Sequence, residues 1–503
     1  MVRGPMSALY GSDAIGGVIN IITKTPDNSW GGHLRQENKV VTSGEQGEQS
    51  RTNIYTSGPV SDSLSLAVSG EIYDRNAWYL DNGDGSESPA LEEKISRNLY
   101  TTLTWQINDA QTAEFDFNYN HDERPYSLYG TRSAYRDQSI DRLTFSGTHR
   151  GNWSWGNSTV TVNYEDGKID DYNSSYDAPQ QRELKEKNLL LNGYINTQWS
   201  IHNITLGSEL QDQTVEDPVT YTETGESNTS LYALYLQDEM SLTDDLLLTL
   251  GARLDDHEVF GQHMTPRSYL VYSLNDSVTL KGGVSAAFKA PQAYQMSEEY
   301  QIVSCGGSCT LSGNPDLEPE TSVNYEIGME ILQNSWDASI ALFKTEAEDM
   351  IIAKTAVVNG SRTRWWANED EVTINGIELV GSVDLTDSVT LNGNYTYLDT
   401  ENTDGEDLEN RPEHAASVTV DWQMTEKLSS SLTADYTGEQ FDGSDNLPSY
   451  TIVDLGFAFQ ATDSINLSTG VKNIFDIRLD KEDSDFTQHE LGQNIYVSAG
   501  IDF

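Results

Sequence analysis

Basic residues are scarce in this chain, 30 against 80 acidic ones, so places where they gather beside aromatic rings are the first candidates for chemistry. One such segment carries Arg124, Pro125, Tyr126, Tyr129, Arg132, Tyr135 and Arg136. Another is Arg362-Thr363-Arg364-Trp365-Trp366. A guanidinium binds anionic oxygens through a planar fork and stacks on aromatic faces, so both segments suit an anion with aromatic edges. Ordinary roles compete with that reading: loop packing, aromatic residues of a membrane belt, and ion pairs with neighbouring acids.

The two cysteines, Cys305 and Cys309, stand in the run SCGGSC. No further cysteine can complete a zinc set, so a small disulfide loop formed in an oxidising compartment is expected, with Gly306 and Gly307 letting so short a ring close. Asp81 to Glu87 (DNGDGSE) crowds oxygen ligands around glycines in the manner of a calcium loop. It lacks the full EF-hand spacing, and a solvated acidic loop is the expected reading, as it is for Glu401 to Asn410. No resident metal or cofactor is expected. Nor is an enzyme: the chain has no HExxH, GxSxG, Walker A loop or GxGxxG after a strand.

The elements that would position these residues are strands. The chain has 503 residues, 36% hydrophobic, with a mean hydropathy of -0.55. It contains no apolar run long enough for a membrane helix. A composition this polar, with 26 Tyr and 10 Trp, suits a membrane β-barrel, whose strands are apolar on one face, or a secreted solenoid or propeller. The formal charge of -50 argues against nucleic-acid binding, which needs a basic footprint. It reads as an acidic surface suited to a salty habitat, or as loops that attract cations.

The last ten residues alternate. Ile495, Val497, Ala499, Ile501 and Phe503 fall on one face, Asn494, Tyr496, Ser498, Gly500 and Asp502 on the other, which is the period of a strand with one apolar side. Val278 to Lys289 and Val389 to Tyr397 repeat the pattern, with Lys and Asn on the second face implying a wet lumen. Short turns are expected at 108–110, 243–245, 275–277, 333–335, 386–388, 425–427 and 462–464. Long polar connections are expected near 75–94, 123–138, 167–183, 215–228, 290–318, 348–370, 401–412 and 476–492. Short and long alternate, as periplasmic turns and extracellular loops do in an up-and-down barrel. Without an internal repeat, a propeller is excluded. The expectation is an all-β fold, a transmembrane antiparallel barrel of about 22 strands.

One stretch is more telling than any other. Met1 to Lys24, MVRGPMSALYGSDAIGGVINIITK, closely resembles the end of the plug domain of TonB-dependent outer-membrane receptors. The resemblance divides the chain into a C-terminal plug remnant, 1–27, and a barrel, 28–503. It also implies that the rest of a plug, a TonB-contacting segment and a secretory leader belong upstream of Met1. As written, the chain is then expected to be a transport-incompetent or leaky pore.

Further resemblance lies in Arg253 to Pro291, Ser312 to Ile331, Asn375 to Gly381 (NGIELVG), Arg411 to Gln423 and Val471 to Asp476. These segments resemble the catecholate siderophore receptors, specifically the colicin I receptor type. Membership implies import of Fe(III)-siderophores with TonB-ExbB-ExbD as motor and outer-membrane lipid as surroundings, and it allows colicin or phage as further partners. It assigns Arg3 to a plug-barrel latch with Glu326 and Glu378. Haem receptors of this fold place a histidine between motifs like Phe288-Lys289-Ala290-Pro291 and Asn314-Pro315-Asp316-Leu317. None occurs between them here, and His257 and His263 lie upstream. Haem or cobalamin uptake, and a passive porin-like or phage-receptor barrel, are the alternatives.

Overall fold

The structure, a computed structural model, describes residues 2–3, 11–12, 17–18, 26, 29–81, 87–128, 134–174, 180–305, 309–358, 360–482, 486 and 491–503; of 2–3, 45, 81, 87–89, 126–128, 134, 180, 303, 480 and 482 it describes the backbone alone. Among the described residues, 22 antiparallel strands form a closed wall. They are β1 Gly31–Val41, β2 Gln49–Ser61, β3 Leu64–Arg75, β4 Lys94–Asn108, β5 Gln111–Leu128, β6 Ala134–Trp153, β7 Gly156–Asn173, β8 Gln180–Trp199, β9 His202–Glu216, β10 Glu226–Thr243 and β11 Leu246–His257. The second half is β12 Gly261–Asn275, β13 Val278–Lys289, β14 Glu320–Leu332, β15 Trp336–Val358, β16 Ser361–Thr386, β17 Val389–Asn402, β18 His414–Thr425, β19 Leu428–Thr437, β20 Tyr450–Thr462, β21 Ile465–Lys472 and β22 Asn494–Asp502. The last strand pairs with the first, His33 opposite Asp502 and Val41 opposite Asn494, so the sheet keeps no free edge.

The alternation in β22 works inside out. Val497 is 58% exposed while Ser498 is 4% exposed. In a soluble protein that ratio would be inverted; here the apolar face meets lipid and the polar face lines the lumen. Exposed Trp105, Trp155, Trp199, Trp336, Trp422 and Phe459 all stand close to the short turns, making a periplasmic aromatic girdle. Tyr119, Tyr164, Tyr232 and Tyr325, also exposed, mark the opposite interface.

All seven short turns form where the alternation ends. Several share one device: the first side chain accepts from the N–H two residues on, as Asn108 Oδ1 does from Ala110 and Asn275 Oδ1 from Ser277, both at 2.9 Å. The long connections differ from expectation. Much of 123–138, 167–183 and 348–370 is strand, since β5 runs to Leu128, β7 to Asn173 and β15 to Val358. Polarity there marks the end of the lipid, not of the sheet. Above the membrane, pairing still satisfies the backbone N–H and C=O groups.

Among the described residues the barrel has no central apolar core. Small clusters sit instead in the connections: Trp78, Leu80 and Ala90 with Leu491 against them, and Leu447, Leu479 and Phe486. On the inner wall, Phe343 lies across Gly376, where a Cβ would stand 2.1 Å from the ring. Apart from the wall, Val2–Arg3 pairs with Gly17–Val18 as a two-stranded piece.

Candidate functional site

Strand parity decides which charged residues line the mouth. In β5, Phe115 and Tyr119 are exposed on the lipid side, so Asp122 and Arg124, at even positions, face the lumen. Register carries the same face to Arg136 on β6, Asp171 on β7 and Arg182 on β8. Each of these cations is held by a buried carboxylate. Asp122 Oδ2 accepts from Arg124 Nη2 at 2.9 Å and lies 3.3 Å from Lys94 Nζ. Arg136 donates from Nε to Asp171 Oδ1 at 2.8 Å, and its side chain stays 42% exposed. Arg182 donates to both oxygens of Asp217, Nε to Oδ1 at 3.0 Å, and to Thr220 Oγ1 at 3.0 Å. Further round, Lys289 Nζ pairs with Glu320 Oε2 at 3.1 Å.

Asp217 is 1% exposed and begins the extracellular connection between β9 and β10. Burial pushes its carboxyl up, but the hydrogen bonds and charge of Arg182, with Thr220, outweigh that and hold it below the usual carboxylate range. The Arg182, Lys289 and Lys94 pairings were not expected from the sequence. Lysine or arginine on the polar face of an alternating segment was the signal for them; the acid partners are non-local.

The first expected cluster is only partly assembled. Arg124 and Arg136 share the lumen face on adjacent strands. Tyr126 is opposite Arg136 in register. Tyr135 points to the other side of the sheet, 41% exposed, its ring 6.4 Å from Tyr172. Tyr129 and Arg132 lie outside the described residues, as does most of the acidic run 81–87.

The second cluster belongs to β16, nearly half the circumference away. Arg364 donates from Nη1 to Ser304 Oγ at 3.2 Å, and its Nε is buried without a partner. Trp366 meets Tyr294 edge-on at 6.2 Å, and its Nε1 is likewise buried and unpartnered. Trp365 stands opposite Lys354 in register, and Arg362, opposite Val357, is exposed. What positions this group is the hairpin Gln301–Ser304 with Cys309–Ser312, tied by a disulfide between Cys305 and Cys309. Its second arm adds parallel to β16, Leu311 beside Arg364 and Ser312 beside Trp365. Glu299 joins this connection to the one between β9 and β10, accepting from Thr222 Oγ1 at 3.0 Å.

Lower in the wall, Glu326 accepts from Tyr269 OH at 3.0 Å, and Glu378 falls on the same lumen face two strands on. Only the backbone of Arg3 is described. His263 stacks on Phe288 at 4.0 Å with Nε2 against Phe260 O, and His257 Nδ1 accepts from Val259 N–H at 3.2 Å. Both rings are engaged in packing.

Residues 37–474 match the family described as TonB dependent receptor-like, beta-barrel. The iron-regulated outer membrane virulence protein of Vibrio cholerae is 31% identical over 95% of this chain and 75% of its own length. The ferric enterobactin receptor of Pseudomonas aeruginosa is 29% identical over the same shares, 95% and 75%. Among solved structures, the siderophore receptor PirA of P. aeruginosa superposes with a TM-score of 0.83 at 27% identity, covering 100% of this chain and 85% of that one. With a closed barrel, an inside-out wall and a matched span of this length, the chain belongs to the TonB-dependent receptor family of the outer membrane.

Proposed function

We propose that this protein imports ferric siderophores of the catecholate class across the outer membrane, with TonB-ExbB-ExbD as motor. One observation carries the reading. In a chain of formal charge -50, lumen-facing cations gather at the extracellular mouth, each oriented by a buried acid. Iron(III) bound by three catecholates is a compact trianion rimmed with aromatic edges. Arg124, Arg136 and Arg182 on one side of the mouth supply charge, and Arg364 with Trp366 on the other supplies charge and a stacking face. Carboxylate partners hold the guanidinium groups in place, and the Arg136 side chain stays 42% exposed. Tyr126, Tyr129 and Arg132 belong to the same proposal as further contacts around that anion, whereas Tyr135, on the opposite face of β6, drops out of it. The names of the relatives, among them the ferric enterobactin receptor of P. aeruginosa, support this ligand class.

Residues 1–27 are read as the end of the plug, latched to the wall through Arg3, Glu326 and Glu378. The test is titration of the protein in outer membranes with ferric catecholates, ferric hydroxamates, haemin and cobalamin, followed by tryptophan quenching. Binding should be confined to catecholates, and Arg136→Ala should weaken it about 10- to 100-fold, the worth of a charge-assisted hydrogen bond. Binding of haemin or cobalamin alone would sink the ligand class and leave the fold.

A further inference from the structure

The lumen wall holds a polar group that the mouth does not use. Arg253, on β11, has a fully buried side chain. Its Nε donates to Asp255 Oδ1 at 2.8 Å and its Nη2 to Glu209 Oε1 at 2.7 Å. The ring of Tyr235 lies 5.7 Å from the guanidinium carbon. Gly207 gives that ring its place, since a Cβ there would stand 2.2 Å from it. One cation shared by two carboxylates leaves the group with an excess negative charge. Arg253 Nη1 and Asp255 Oδ2 are buried without partners, and so is Thr265 Oγ1, opposite Arg253 in register. Buried polar atoms are normally satisfied, so a cluster of unsatisfied ones calls for an explanation.

Gly11 supplies it. This residue is buried, with φ at +91°, and a Cβ on it would stand 3.2 Å from Arg253 Nη2 and 3.4 Å from Glu209 Oε1. A side chain is therefore opposed twice, by the left-handed backbone and by the guanidinium beneath it. We propose that Arg253, held by Glu209 and Asp255, anchors the turn at Gly11 to the barrel wall by backbone contact. Nη1 and Asp255 Oδ2, one donor and one acceptor, suit a further peptide group of the same plug. Arg253 is on this account a positioning residue, and its anchor needs no plug side chain. The proposal rests on reading residues 1–27 as the plug end.

Hydrogen exchange at the Gly11 and Ser12 amides, measured on the full chain in outer membranes, tests it. Gly11→Val strains the turn; Arg253→Lys keeps the charge but loses the fork. In both variants exchange should quicken about tenfold or more, while unheated electrophoresis still shows a closed barrel. Unchanged exchange in either folded variant overturns the anchor. Should neither variant fold, the unaltered chain decides: slow exchange at Gly11 and Ser12 supports the anchor, and free-peptide rates overturn it. Failure to bind ferric catecholates would remove the proposed function without touching this result.

Discussion

A cation at a binding mouth has to be both available and held still, and the two demands conflict. An unpaired arginine is free but mobile; one fully enclosed by acids is fixed but spent. Arg136 meets both by committing Nε to Asp171 while its side chain stays 42% exposed. Asp217 is the most deeply buried of the acids that hold these cations, accepting from two nitrogens of Arg182 and from the Val219 N–H at 3.2 Å. Because its folded carboxyl titrates below the unfolded one, its contribution is complete above the unfolded pKa and fades as pH falls through the folded value. The turn at 217–225, closed by Tyr221 N–H to Asp217 O at 2.8 Å, should stay protected from hydrogen exchange at neutral and mildly acidic pH. Protection should drop below about pH 4, and Asp217→Asn should flatten that dependence.

Among the elements, the disulfide hairpin between β13 and β14 connects a covalent constraint to the proposed ligand wall. Its arms place Ser304 against Arg364 and Leu311 beside it. Asn314 Nδ2 adds a bond to Trp366 O at 3.1 Å. Replacing both Cys305 and Cys309 by Ser removes a five-residue ring, worth about 2 kcal/mol in unfolded-chain entropy. That loss falls on the hairpin, because the wall strands are paired independently of it. Limited proteolysis should therefore cut between residues 301 and 312 at least several-fold faster, with barrel closure unchanged and catecholate affinity reduced. An equal loss of barrel assembly would show that the ring matters to the wall itself.

For the whole molecule the governing fact is the inverted alternation of a closed sheet. Val418 is 44% exposed on the lipid face, whereas Ser417 faces the lumen opposite Asp435. Val418→Arg puts a charge into hydrocarbon, costing about 2 to 4 kcal/mol near the midplane. Ser417→Arg gains an acidic neighbour in a wet lumen. The first should lower the folded fraction on unheated gels, and the second should leave it near that of the unaltered chain. Equal damage from both would contradict the assignment of faces.

Much of this architecture was legible without coordinates, because period-2 alternation and turn chemistry are local. Asn494 to Phe503 declared its two faces, most short turns carried their own capping side chain, and the long alternation of connections pointed to about 22 strands. Local signals could not say where a strand stops above the membrane, since polar residues pair as readily as they loop; β5, β7 and β15 all outran their apolar stretch. They also could not name partners across sequence. Arg182 meets Asp217 and Arg253 meets Glu209 only because register brings the strands together. Tyr135, adjacent to Arg136 in sequence, was separated from it by the pleat. Composition and alternation determined that this chain is a membrane barrel with a polar lumen; tertiary structure decided which of its few cations face that lumen, because side is set by parity and partnership by register.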